Sequence, residues 1–187
     1  MAFLKPLIRR RGNCRLRIFA AVWLACLAAF PSVAGVCAPP PSEYEVKAAF
    51  LFNFAKFVEW PSNAFPDANT PFVIGVLGND PFGRYLDETV RGERLNNREL
   101  IIQRYRNPSE IKNCHVLFIS RSESDRLDQI VAQLKSRRIL TVTDAAGGSG
   151  GIMIRFVNEG NRIRFKIDVQ AARSANLTIS SKLLRLA

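Results

Sequence analysis

The chain has 187 residues, with 27 Lys or Arg, 16 Asp or Glu and a single His, for a formal net charge of +11. A basic, acid-free start (Lys5, Arg9, Arg10, Arg11, Arg15, Arg17), an apolar run from Ile18 to Phe30, Pro31 and the small residues Ser32, Ala34 and Gly35 have the layout of a secretory signal peptide. That leader takes six cations and no acid with it, leaving 21 cations against 16 acids, so the excess drops to about +5 and nucleic-acid binding loses its main support.

The leader is assigned to residues 1–38, with cleavage between 35 and 38, and a single domain to residues 39–187. The apolar run is shorter than the about 20 residues of a membrane span, so the expected compartment is the periplasm. Val36 before Cys37 argues against lipidation. Cys14 and Cys26 leave with the leader, and Cys114 alone lies well inside the domain. A disulfide framework needs pairs, so Cys114 reads as a buried small hydrophobe.

Residues 43–60 (EYEVKAAFLFNFAKFVEW) are predicted as one helix. Val46, Phe50, Phe54, Phe57 and Val58 form a core stripe; Lys47, Asn53, Lys56 and Glu59 are placed on other faces. Ser42 is its N-cap, and Pro61 its stop. Phe72–Leu77 is a buried strand, Phe82–Val90 a short helix, Leu100–Tyr105 a second strand and Cys114–Ile119 a third. A helix follows, with Leu127, Ile130, Val131 and Leu134 at i, i+3, i+4 and i+7 and a capping box from Ser122 and Asp125. Ile139–Thr143 is the next strand. This alternation implies an α/β fold with a largely parallel central sheet and flanking helices.

A C-terminal antiparallel hairpin then joins Ile152–Val157 to Arg162–Val169 through Asn158-Glu159-Gly160-Asn161. With Asn158 opposite Asn161, Phe156 meets Ile163 and Arg155 meets Arg164, so one face is apolar and the other basic. A short helix over Gln170–Ala175 and an extended segment over Leu177–Leu186 close the domain.

Catalytic equipment is sparse. His115 neighbours Cys114 on a strand, so the two side chains point to opposite faces and cannot act as nucleophile and base. One His with one or two Cys cannot build a tetrahedral metal site, and no glycine spacing matches a phosphate-binding fingerprint. Neither catalytic residue, metal nor cofactor is expected. Two weaker candidates remain. The cations Arg155, Arg162, Arg164 and Lys166 crowd one hairpin face, which costs stability when unpaired and suits an acidic partner or anionic ligand. Asn79, Asp80, Ser120 and Asp144 fall at strand C-terminal ends, where α/β sheets bind ligands.

The ordered pieces YEVKAAFLFNFAKFVEWP, FVIGVLGNDPFG, CHVLFISRSESDRL, RILTVTD and GGIMIRFVNEGNRIRFKIDVQAARSANLTISSKLLRLA resemble the YfiR family over nearly all of residues 43–187. Residues 44–61 and 179–186 are the most specific parts. The resemblance implies a non-enzymatic periplasmic repressor that binds an inner-membrane diguanylate cyclase and lowers cyclic di-GMP signalling and biofilm formation. It implies an OmpA-type outer-membrane lipoprotein that sequesters the repressor, and a homodimer. The family's best-known member has two disulfides. Cys114 matches one of those cysteines, but the partner expected near Phe72–Leu77 is missing, and so is the other pair expected around 144–153, so no disulfide is expected in the domain. The alternative is a periplasmic small-molecule sensor acting at the sheet's C-terminal edge.

Overall fold

A computed structural model describes residues 41–187, apart from Ser149 and Asn161; the expected export leader lies outside the described residues. Helix α1 spans Glu43–Phe57. Its start is a reciprocal capping box: the Ser42 hydroxyl accepts from the Glu45 N–H at 3.3 Å, and the Ser42 N–H donates to the Glu45 carboxylate at 2.5 Å. The helix ends three residues before the expected Trp60, because Val58 and Glu59 turn extended to form strand β1 (Val58–Glu59), paired with β9 (Thr178–Ile179). The sequence pieces most typical of the resembled family are thus joined through this pair, reinforced by the Ser180 N–H donating to the Phe57 carbonyl at 2.9 Å.

The main sheet has seven strands in the order β3 (Arg94–Leu95), β4 (Arg98–Tyr105), β2 (Phe72–Leu77), β5 (Val116–Ile119), β6 (Leu140–Thr143), β7 (Ile154–Glu159) and β8 (Arg162–Ile167). The five central strands are parallel; β3 pairs antiparallel with β4, and β8 with β7. The α/β fold with its C-terminal antiparallel pair is as the sequence implied. Strand β3 was not foreseen. It is joined to β4 by Asn96 and Asn97, both at positive φ (49° and 64°), the backbone a tight hairpin turn demands and Asn tolerates.

Helices α2 (Arg84–Val90), α3 (Leu127–Leu134), α4 (Val169–Ser174) and α5 (Ser181–Leu184) complete the fold. On one sheet face Ile74, Val76, Phe118, Val142, Phe156 and Phe165 share a core with residues from α1, α2, α4 and α5. The rings of Phe50 and Phe54 lie 5.1–6.0 Å from those of Phe156 and Phe165. Fully burying one such side chain stabilises by about 1.5–3 kcal/mol. On the other face Leu77, Leu117 and Ile119 pack on Leu127, Ile130 and Leu134 of α3.

Three local expectations are corrected. The capping box at Ser122 does not form: Arg121–Arg126 is a 3-10 turn capped by Ser120, and the Ser122 hydroxyl instead accepts from the Asn79 N–H at 2.9 Å. Leu177–Leu186 is not one extended segment, since Ser180 caps α5. The hairpin register is shifted by two: Glu159 pairs with Arg162, Val157 with Arg164 and Arg155 with Lys166, not Arg164. The turn after Glu159 begins at Gly160, which supplies a left-handed φ of 59°. A shift of two preserves parity, so the apolar and basic faces survive although every cross-strand partner changes.

Candidate functional site

The five parallel strands run β4-β2-β5-β6-β7, an order with its switch point between β2 and β5. Asn79, Asp80, Ser120 and Asp144 all lie just beyond the C-terminal ends of β2, β5 and β6, as expected, but most of their polar atoms serve the fold. Asp80 accepts from the Phe82 N–H at 2.8 Å and binds Arg104 at 2.7 Å. Arg104 also holds Asp87 at 2.6 Å, and this pairing raises the guanidinium's pKa while keeping the Asp87 carboxyl below the usual range. Ser120 caps the following turn. The switch-point crevice is filled by the chain itself. Phe82 is buried against Phe118 and Tyr44, and a Cβ on Gly78 would stand 2.4 Å from the Ser122 hydroxyl.

Asp144 is different. Its side chain is 2 % exposed, and its Oδ2 accepts from Lys47 Nζ at 2.6 Å and from the Tyr44 hydroxyl at 3.1 Å, with Arg121 Nε 3.2 Å away. Lys47 is 0 % exposed and also contacts Glu43, which Arg121 reaches at 3.4 Å. The neighbouring Lys47 ammonium holds the Glu43 carboxyl below the usual carboxylate range, and burial together with the Asp144 carboxylate pushes the Tyr44 phenol up. Two cations and two anions balance, as buried charge requires. Asp144 Oδ1, however, is buried without a hydrogen-bond partner among the described residues. Such a group calls for a donor that a bound molecule or water would supply.

Lys47 was placed off the core face by the sequence pattern, and the structure overturns this. Lys47, Leu51, Phe54 and Val58 fall at i, i+4, i+7 and i+11, on the buried stripe. Counting from Val46 and Phe50 hid it, and no local signal marked Asp144, 97 residues away, as its partner. Glu43, Tyr44 and Arg121 were missed for the same reason.

The basic face is present. Arg162, Arg164 and Lys166 are exposed along β8, and among the described residues none forms an ion pair. Arg155 stands apart from them: half-buried, it donates to the Ala145 carbonyl and so braces the glycine-rich loop. His115 and Cys114 do point to opposite faces. His115 stacks on Phe65 and Phe72 at 4.4 and 4.8 Å, accepts the Val73 N–H at 3.0 Å on Nδ1, and is lowered by burial to about 4. Cys114 is a free, buried thiol that burial pushes up to about 12. Among the described residues no group of side chains could hold a metal, and no helix is long and apolar enough to cross a membrane.

A family model described as YfiR/HmsC-like matches residues 44–187, while no curated protein matches the chain. The match spans the fold from α1 to the final residue, including the β1–β9 pair and the buried Lys47–Asp144 contact. The chain therefore belongs to the YfiR/HmsC-like family, a periplasmic and non-catalytic regulatory family in which membership implies a diguanylate cyclase as the regulated partner.

Proposed function

We propose that this protein is a periplasmic repressor that binds the periplasmic part of an inner-membrane diguanylate cyclase and holds it inactive, lowering cyclic di-GMP and biofilm formation. Residues 1–38 act as the export leader and residues 39–187 as the working domain. An OmpA-type outer-membrane lipoprotein relieves repression by sequestering the repressor, and the working form is a homodimer. The observation that carries the reading, beside family membership, is the sheet face of Arg162, Arg164 and Lys166, three exposed cations without ion pairs among the described residues. Lys166 sits directly across the ladder from Arg155, a like-charge pair retained at a cost, and an acidic partner surface offsets it. Repression through contact is a population shift: the repressor must bind the inactive cyclase conformation more tightly than the active one.

The test is a pull-down from envelope extract with the tagged protein and with its Arg162→Glu/Arg164→Glu variant. Recovery of a membrane cyclase by the parent, reduced severalfold by the variant, supports the reading; recovery of none sinks it. A second reading, a small-molecule sensor, is favoured by one observation, the buried unpartnered Asp144 Oδ1 beside Tyr44 and Lys47. Native mass spectrometry of the purified protein that shows a bound small molecule, lost in Asp144→Leu, would favour this reading.

A further inference from the structure

Strand β8 is the last strand of its sheet, and its outer edge is unpaired among the described residues. The register decides which backbone groups face outward. The two-residue loop closes on Glu159 and Arg162, which makes 159/162, 157/164 and 155/166 the hydrogen-bonded pairs. The Asp168 N–H donating to the Met153 carbonyl at 2.8 Å continues the same series. The N–H and C=O groups of Ile163, Phe165 and Ile167 therefore point away from β7, along the open edge.

That edge has two unlike sides. Arg162, Arg164 and Lys166 project to one face, all exposed; Ile163, Phe165 and Ile167 project to the other, half-buried or buried. Beside the tip end of the strand lies a groove of about 340 Å³ lined by Glu43, Val46, Ile163 and Arg162. An added strand would meet cations on one face and apolar surface on the other. A second copy of this chain is a poor occupant, because pairing β8 with itself would set cations against cations across the new ladder.

We propose that β8 binds an extended segment of an acidic partner by strand addition, the segment alternating acidic and apolar residues. The outward amides and carbonyls of Ile163, Phe165 and Ile167 would give the ladder, and Arg162, Arg164 and Lys166 the charge selection. This deepens the regulatory reading by naming how the partner is held, and rests on that reading only for the partner's identity.

The probe is a short synthetic peptide alternating Glu and Val, added to the protein purified from the periplasm. Binding is read by fluorescence anisotropy, and the ladder by amide hydrogen exchange at Ile163, Phe165 and Ile167. The expected result is slowed exchange at those three amides, with affinity falling roughly fivefold for each of Arg164→Glu and Lys166→Glu. The same peptide N-methylated at alternate residues should bind at least about tenfold more weakly. Equal binding of the methylated peptide, or unchanged exchange at the three amides, overturns strand addition. If Arg164→Glu/Lys166→Glu captures the membrane cyclase as well as the parent does, the edge proposal fails and the regulatory reading stands. If the peptide behaves as stated but no cyclase is captured, the regulatory reading fails and the edge remains a strand-binding site.

Discussion

Replacing Lys47 by Met would test the buried charge cluster directly. The side chain is 0 % exposed and lies 2.6 Å from an Asp144 carboxylate that is itself 2 % exposed, so Lys47→Met leaves an anion without its closest cation. Removing one partner of a buried pair costs about 3–5 kcal/mol. Arg121, about half exposed, stays 3.2 Å from the same oxygen and offsets part of the loss, which puts the expected cost near the lower end, about 3 kcal/mol. For a domain of this size, roughly 2–4 °C per kcal/mol makes the drop in Tm about 6–12 °C. The double variant Lys47→Met/Asp144→Leu removes both charges and should recover most of that loss, since apolar replacement of a whole pair is often neutral or stabilising. Urea unfolding of the parent, both single variants and the double variant closes the cycle and isolates the coupling. If the two single losses simply add in the double variant, Lys47 and Asp144 are not energetically coupled and the reasoning fails.

Burial lowers His115 from 6.5 to about 4, so the unfolded chain binds its proton more readily than the native one between those values. Its contribution is present above pH 6.5 and lost as pH falls toward 4, up to about 3 kcal/mol; pH-dependent urea midpoints should show it, and His115→Gln should flatten that window. In Gly75→Cys the new side chain starts 2.8 Å from Cys114 Sγ, restoring a cysteine within Phe72–Leu77 where the family resemblance looks for one. Peptide mapping after mild oxidation should find the two cross-linked, after the Tyr105 ring, 2.7 Å from the same position, has shifted; two free thiols would refute it. Ser42→Ala deletes half of the α1 capping box and should cost about 1 kcal/mol in urea unfolding, whereas Ser62→Ala, whose hydroxyl caps no helix, should cost little.

Much of the fold was legible because its signals are local. The apolar runs of β2, β5 and β6 are buried along their whole length and stand between turn residues, and α3 shows its stripe at helical spacing. The two faces of the β7–β8 hairpin were legible too, since a period of two survives any even shift in register. The exact partners were not: moving the loop by one residue exchanges Arg164 for Lys166 opposite Arg155 at no cost to the pattern. The end of α1 was hidden for a related reason. Val58 and Glu59 fit a helix locally, and only pairing with Thr178 and Ile179 makes them a strand.

The candidate site divides in the same way. Sequence alone determined the family likeness, read from ordered pieces along residues 44–187, and it determined the strand-end positions of Asn79, Asp80, Ser120 and Asp144 and the grouping of Arg162, Arg164 and Lys166, because these last depend on residues close together in the chain. Tertiary structure alone decided that Phe82 and Ser122 fill the switch-point crevice, that Arg155 braces a loop, and that Lys47 lies buried against Asp144. A charge on an apolar stripe has no local mark of its partner; the long-range pairing that makes its burial tolerable exists only once the helix is packed on the sheet face.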